Sequence, residues 1–250
     1  MKNQFTIVIP FYNAEKWIGK CLESVLEQSV QDFSCVIADD ASTDNSFEVC
    51  QSLVGTDSRF TLVKNPKNLG ALGNRHLATL EYNPQKNPDS VVINLDGDDW
   101  FHGPEVLSVL DRYYSDPDCW MTYGSYINYS DSSPGEFSKP VPDEVVKERA
   151  YRKYRWCTSH LRSYRLGLFS RINRKDLVDW LGRYYRSATD LALTFPMLEM
   201  SGERARFVEE VLYVYNDAND LNNHKVKRRT QGRLARRIRK KRKYDLLEGW

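Results

Sequence analysis

Val91-Val92-Ile93-Asn94-Leu95-Asp96-Gly97-Asp98-Asp99-Trp100 runs from mostly β-branched or apolar residues into three carboxylates within four positions. The apolar part reads as a buried strand, so the acids fall at its carboxyl end. In an open α/β sheet that end is where ligands bind. Three crowded acids repel one another unless a cation sits between them, and hard divalent ions such as Mg²⁺ or Mn²⁺ favour carboxylate and phosphate oxygens. The segment therefore predicts a metal, Mn²⁺ or Mg²⁺, that holds a phosphorylated substrate. The competing reading is an acidic turn in which Asp98 or Asp99 caps a helix starting near Pro104.

Upstream, short apolar runs alternate with amphipathic ones. Phe5 to Pro10 is strand-like. From Ala14 to Gln28 the residues Trp17, Ile18, Cys21, Leu22, Val25 and Leu26 recur at the helical period and share one face. Phe33 to Asp39 reads as the next strand and Asp44 to Leu53 as a helix capped by Ser42, Thr43 or Asp44. A strand at Phe60 to Lys64, a helix at Leu69 to Leu80 and the strand ending at Asp96 complete the series. Strand–helix–strand repeated in this way predicts an α/β fold, a doubly wound and mostly parallel central sheet flanked by helices. Downstream, Gly103 to Tyr114 reads as a helix and Trp120 to Asn128 as a strand with alternating aromatics.

Ser130 to Glu144 is rich in Ser, Pro, Asp and Gly and marks a loop or boundary. Beyond it the periodicity weakens. Asp190 to Met200 reads as a helix, Phe207 to Tyr215 as a strand, and the end of the chain as helical or disordered, with only Leu234 and Ile238 as an apolar seam. The expected organisation is one domain over residues 1–224, with a ligand-binding half at 1–129 and a second half at 130–224, followed by a basic tail at 225–250.

The chain's 250 residues suffice for one sizeable core. Its net charge of +2 hides an asymmetry: residues 225–250 hold 12 Lys/Arg against 2 Asp/Glu, leaving 24 against 32 in the rest. Such a tail suits an anionic membrane surface, nucleic acid or an acidic partner, or is simply a solvated charge run. Nucleic acid is disfavoured, because Tyr244 alone interleaves an aromatic with the basic residues. The 5 cysteines, Cys21, Cys35, Cys50, Cys119 and Cys157, form no CxxC pair, which argues against a disulfide framework or structural zinc. With no apolar run of about 18 residues and no signal-like start, a cytoplasmic protein is expected, peripheral at a membrane if its tail binds one. On that basis Asn128-Tyr129-Ser130 is a chance glycosylation pattern.

Four strand ends carry polar residues suited to a nucleotide: Pro10-Phe11-Tyr12-Asn13, Asp39-Asp40-Ala41-Ser42-Thr43-Asp44, Asn65 to Arg75, and Asp96 to Asp99. They supply an aromatic, a carboxylate able to accept from a base N–H, an Arg for phosphate and metal-binding acids. With these residues in view, the chain resembles the GT-A-fold glycosyltransferases of family two, which transfer sugars from nucleotide-sugar donors with inversion. The resemblance covers residues 5–215, strongly through Trp100 and more weakly afterwards.

The resemblance implies that Pro10, Phe11 or Tyr12, and Asn13 line the base pocket, and that Asp40 recognises uracil while Asp39 is structural. It further implies that Asn68 and Gly70 help bind base and diphosphate, with Arg75 as the carried-over contact. Asp96-Gly97-Asp98 matches the D-x-D motif: Asp96 would approach ribose or metal, Asp98 the diphosphate-bridging metal, with Asp99 close by. Asp190, in Ser187-Ala188-Thr189-Asp190-Leu191, matches the catalytic base, although the acidic residue that often precedes it is absent; capping the following helix is its structural alternative. His160 and Arg162 lie in the family's acceptor region. His224 stands where some members close a loop over the metal. His76 and His102 read as neighbours of motifs, and the aromatics at 113, 114, 120, 123, 126 and 129 either stack on a sugar or fill the core.

Partners implied are a nucleotide-sugar donor, with uridine favoured through Asp40, and a glycan, lipid-linked sugar or protein acceptor. The Q-x-x-R-W signature and transmembrane helices of processive synthases are missing, so a single sugar addition is expected. A sugar-1-phosphate nucleotidyltransferase would need a Gly- and Lys-rich loop where Pro10-Phe11-Tyr12-Asn13 stands, and an aspartyl phosphatase a Thr where Trp100 stands. The remaining alternative is a catalytically inactive glycosyltransferase-like domain acting as a membrane or nucleic-acid adaptor through its tail, against which the intact Asp40, Asp96, Asp98 and Asp190 argue.

Overall fold

A computed structural model describes residues 3–219 and 228–250. Strands β1 (Phe5–Phe11), β2 (Phe33–Asp39), β3 (Phe60–Lys64) and β4 (Val91–Asn94) are mutually parallel in the order β3-β2-β1-β4. The sheet continues through β7 (Arg162–Arg165), β6 (Met121–Asn128), β8 (Ala205–Tyr215) and β5 (Trp100–Phe101). There it is mixed: β7 runs antiparallel to β4 and β6, β8 parallel to β6, and β5 antiparallel to β8.

Successive side chains of a strand point to opposite faces, and both faces of β1 are covered. Ile7 and Ile9 join Ile18, Cys21, Leu22 and Val25 of helix α1 (Ile18–Leu26), Cys50 and Val54 of α2 (Ser46–Val54), and Leu107 and Leu110 of α4 (Val106–Tyr114). Val8 points the other way, into a cluster with Leu72 of α3 (Ala71–Leu77), Phe169 of α6 (Leu166–Ser170) and Phe195 of α7 (Thr189–Ser201). A short α5 (Asp143–Lys147) and the C-terminal α8 (Arg228–Arg239) complete the α-helices among the described residues.

Several elements differ in extent from the sequence reading. Helix α1 opens at Ile18 because the Ala14 carbonyl accepts from both Trp17 N and Ile18 N, each at 2.8 Å, in a preceding turn. Regular pairing of β4 stops at Asn94, yet Leu95 N still donates to Val8 O at 3.1 Å and Gly97 N to Pro10 O at 3.3 Å. The acids thus remain laced to β1. Helix α3 passes at Ala78–Tyr82 into a π-helical turn.

Strand β7, Arg-Ser-Tyr-Arg, is wholly buried without an apolar period. Most of its polar atoms are hydrogen-bonded instead, Arg162 Nη1 being the exception. Tyr164 OH donates to Asn94 Oδ1 at 3.1 Å, Ser163 Oγ lies 3.0 Å from Tyr114 OH, and Arg165 Nε donates to Cys119 O at 3.1 Å.

The basic C-terminus is docked. Ile238 of α8 is buried within the second core cluster, and Arg152 joins α7 to the tail: its Nε meets Glu199 Oε1 at 2.6 Å and its Nη1 donates to Ile238 O at 2.6 Å. Tyr244 N donates to Glu199 Oε2 at 3.1 Å, and Trp250 packs on Trp120 with ring centroids 4.4 Å apart. All five cysteines are free and buried. Among the described residues, no helix is long and apolar enough to cross a membrane.

Candidate active site

The carboxyl ends of β1, β2 and β4 meet through specific bonds. Asn13 (φ 51°) and Ala41 (φ 62°) both have left-handed backbone, which turns the chain sharply out of each strand. Asn13 N donates to Ser42 Oγ at 3.0 Å and Thr43 N to Asn13 Oδ1 at 2.9 Å, so the two loops are stitched together. Pro10 and Phe11 are buried, and a Cβ on Gly97 would lie 2.6 Å from Phe11 Cβ, so only glycine lets the acid loop pack there. Of Phe11 and Tyr12, it is Tyr12, 45 % exposed, that is accessible from outside.

Asp40 is buried and braces the next loop: its Oδ1 accepts from Leu69 N and its Oδ2 from Gly70 N, each at 2.7 Å, with Asn65 Nδ2 at 3.2 Å from Oδ1. Burial raises its carboxyl pKa despite these bonds. Asn68 Nδ2 donates to Asp40 O at 3.1 Å, and Gly70 takes φ 80°. Arg186 closes over the same loop, donating to Asn68 Oδ1 and, at 3.0 Å, to Asn68 O. Asp39 accepts from Ser42 N at 2.8 Å and faces Lys64 Nζ at 3.5 Å.

The three acids after β4 have separate surroundings. Asp99 is buried, with Tyr213 OH donating to Oδ2 at 2.5 Å and Asn216 N to Oδ1 at 2.7 Å. Burial and the charges of Asp98 and Asp96 push its carboxyl well up. Asp98 accepts from Asn219 Nδ2 at 2.7 Å, and burial together with Asp96 pushes it up to about 6. Asp96 pairs with the Arg75 guanidinium. Like charges held this close favour a divalent cation between them.

Among the described residues, the candidate ligand atoms that converge within 4.8 Å of one another belong to Asp96, Asp99 and His160. His160 stacks on Tyr213 with centroids 4.5 Å apart and planes at 11°. Burial, then the Arg162 charge, lowers its pKa to about 4, leaving a neutral imidazole with a lone pair. The two carboxylates fit a hard divalent cation such as Mn²⁺ or Mg²⁺, the neutral nitrogen is a softer third donor, and Asp98, expected as the principal ligand, lies outside this converging set. His224 lies outside the described residues.

Asp190 stands in the first turn of α7, after Ala188 with φ 53°. Its Oδ1 is 2.8 Å from Arg162 Nη2 and 3.8 Å from Arg75 Nη1, while the side chain stays 42 % exposed. Burial would raise its pKa, but Arg162, Arg75 and His160 outweigh that and hold the carboxyl below its ordinary value. Arg75, itself buried, thus bridges Asp96 and Asp190.

Sequence reasoning brought Asp40, Arg75, Asp96, Asp98, Asp99 and Asp190 to one end of the sheet, and there they lie. It missed Tyr213, which reads in β8 as one more core aromatic, and Arg186, for which no local pattern gives a signal. His160, expected in the acceptor region, lies beside Asp96 and Asp99 and stacks on Tyr213 of β8. His76 is a neighbour, 3.2 Å from Tyr184 OH, and Trp120, Tyr114 and Tyr123 are buried core.

A mixed sheet whose parallel strand ends gather an acid cluster, an arginine and a facing carboxylate defines a GT-A-type glycosyltransferase fold. The chain belongs to glycosyl transferase family 2, whose model matches residues 6–173. It is 28 % identical over 141 residues to the glycosyltransferase GlyG of Streptococcus pneumoniae serotype 4, covering 55 % of this chain and 43 % of GlyG. Staphylococcus aureus TarS 1–349 in complex with UDP-GlcNAc superposes with TM-score 0.64 at 17 % identity, over 90 % of this chain and 61 % of that one. The mannosyltransferase PcManGT from Pyrobaculum calidifontis in complex with GDP-Man and Mn²⁺ gives 0.61 at 17 %, over 98 % and 66 %. The chain thus spans less than half the length of GlyG.

Proposed function

We propose that this chain transfers a single sugar from a nucleotide-sugar donor, a UDP-sugar, to an acceptor hydroxyl with inversion, in a Mn²⁺- or Mg²⁺-dependent reaction. The observation that carries this reading is the arrangement about Arg75, which contacts Asp96 of the acid cluster on one side and lies 3.8 Å from Asp190 on the other. Tyr12, Asn13, Asp40, Asn68 and Gly70 form the nucleoside end of the site. Asp96, Asp98, Asp99 and His160 would hold the metal, which when bound supplies positive charge against the charge growing on the departing nucleoside diphosphate. Arg75 adds a fixed cation on the same side.

Asp190 accepts the proton of the acceptor hydroxyl as that oxygen attacks the anomeric carbon and the carbon–oxygen bond to the diphosphate breaks. One in-line displacement inverts the centre, so no enzyme nucleophile is required. The UDP-GlcNAc complex of TarS and the GDP-Man and Mn²⁺ complex of PcManGT support a nucleotide-sugar donor and a metal on this fold. The acceptor is a glycan, lipid-linked sugar or protein hydroxyl.

The test is nucleoside diphosphate release from a panel of UDP-, GDP- and dTDP-sugars with Mn²⁺ or Mg²⁺. Release from a UDP-sugar, abolished by EDTA and by Asp98→Asn, is the expected result. Absence of release from every donor, with no metal-dependent UDP binding by calorimetry, would instead favour a non-catalytic domain.

A further inference from the structure

Beyond the strand-end site, the structure presents two apolar side chains where turns ordinarily carry Gly, Pro, Asn, Asp or Ser. Trp180 is 79 % and Leu181 50 % exposed, and both occupy the tip of a tight hairpin. The hairpin is ordered. Asp179 N donates to Arg183 O at 2.8 Å and Gly182 N to Asp179 O at 3.0 Å, Val178 pairs with Tyr184, and Gly182 supplies the required φ of 75°. The Asp179 carboxylate accepts from Leu181 N and Arg183 N and pairs with the Arg183 guanidinium at 3.0 Å. The turn therefore holds Trp180 and Leu181 outward.

The root of this hairpin is bolted to the basic tail. Lys241 Nζ lies 3.0 Å from Asp176 Oδ1 and over the Tyr185 ring, and Tyr244 OH donates to Asp176 Oδ2 at 2.6 Å. In α8, Leu234 and Ile238 face the protein, whereas Arg233, Arg236 and Arg237 are exposed at the i, i+3, i+4 spacing of one helical face, with Lys240 exposed just past its end. No Asp or Glu occurs between Lys225 and Lys243 to neutralise it.

We infer that the Trp180–Leu181 hairpin and the outer face of α8 together form a docking surface for an anionic lipid bilayer. The chemistry of each half fits that occupant. Trp sits favourably at headgroup level and Leu in the acyl region, while clustered Lys and Arg are attracted to acidic headgroups. A nucleic acid would use stacking rings along the basic face; α8 has none, and Leu181 cannot stack on a base. Docking of this kind is independent of sugar transfer, so its test stands whether or not a donor is turned over.

The experiment is co-sedimentation of the full chain with vesicles of phosphatidylcholine alone and of equal parts phosphatidylcholine and phosphatidylglycerol, at low and high salt, beside binding to a single-stranded oligonucleotide. Binding confined to the anionic vesicles and weakened by salt is expected. The triple variant Arg233→Glu/Arg236→Glu/Arg237→Glu should lower vesicle affinity on the order of a hundredfold, and Trp180→Ser/Leu181→Ser by about tenfold. The wild-type tryptophan emission should shift to the blue on vesicles, with that shift reduced in the second variant. Far-UV circular dichroism matching wild type establishes that both variants are folded, and the lipid and salt comparisons need no variant. Equal binding to neutral vesicles, no vesicle binding at low salt, vesicle binding indifferent to Trp180 and Leu181, or oligonucleotide binding as tight as that to vesicles would each overturn the assignment.

Discussion

Asp190 is held below the ordinary carboxylate pKa because Arg162 at 2.8 Å and Arg75 at 3.8 Å outweigh the partial burial that raises it. In the proposed role of general base Asp190 must be ionised to act, so the acidic limb of the wild-type kcat profile should fall below the ordinary carboxylate range when donor and metal are saturating. In Arg162→Gln the nearest cation is gone while burial remains, so the Asp190 pKa rises and that limb moves to higher pH; a limb that does not move would refute the role given to Arg162. At Gly97, a Cβ would meet Phe11 Cβ at 2.6 Å. Gly97→Ala is accordingly expected to cost about 1–3 kcal/mol in urea denaturation. The acids themselves were legible because their spacing after an apolar strand has few other uses. The place of His160 was not, since it depends on stacking against Tyr213, which lies far away in sequence.

Among the elements, the parallel strands β1, β2 and β4 were legible because strands buried on both faces read as short apolar runs, whereas β3 is a half-buried edge strand marked only by Phe60, Leu62 and Val63. Strand β7 was not legible, since its burial rests on hydrogen bonds rather than apolar side chains and leaves no periodicity in Arg-Ser-Tyr-Arg. Helix α7 carries a further demand, as Glu199 is fully buried with both carboxylate oxygens engaged by Arg152 and Oε2 also by Tyr244 N. Glu199→Ala leaves the Arg152 guanidinium without its partner. A loss of about 3–5 kcal/mol is expected in urea denaturation; a loss near zero would mean that the pair does not anchor the tail.

For the whole molecule, the C-terminal segment is part of the fold rather than a solvated appendage. Its charge was plain in the sequence, but its docking relies on Ile238, Tyr244 and Trp250, too few and too irregular to announce a packed face. Trp250 lies across Gly167, where any Cβ would come within 2.6 Å of its ring, and donates from Nε1 to Asp89 Oδ1 at 2.9 Å. Deleting residues 228–250 would uncover Trp120 and the α7 surface. The melting temperature is expected to fall by about 10 °C; an unchanged value by scanning calorimetry would show that the segment adds no stability.

The sugar-transfer reading turns on whether Asp190 acts in the chemical step while the acid cluster and Arg75 serve the donor. The most direct measurement compares wild type with Asp190→Asn for nucleoside diphosphate release in the presence of acceptor, with donor affinity followed by calorimetry on the same preparations. The expected result is a kcat lowered on the order of 10²- to 10⁴-fold with donor Kd held within about threefold. Full turnover by Asp190→Asn, or a loss of donor binding that alone accounts for the lost activity, would contradict it.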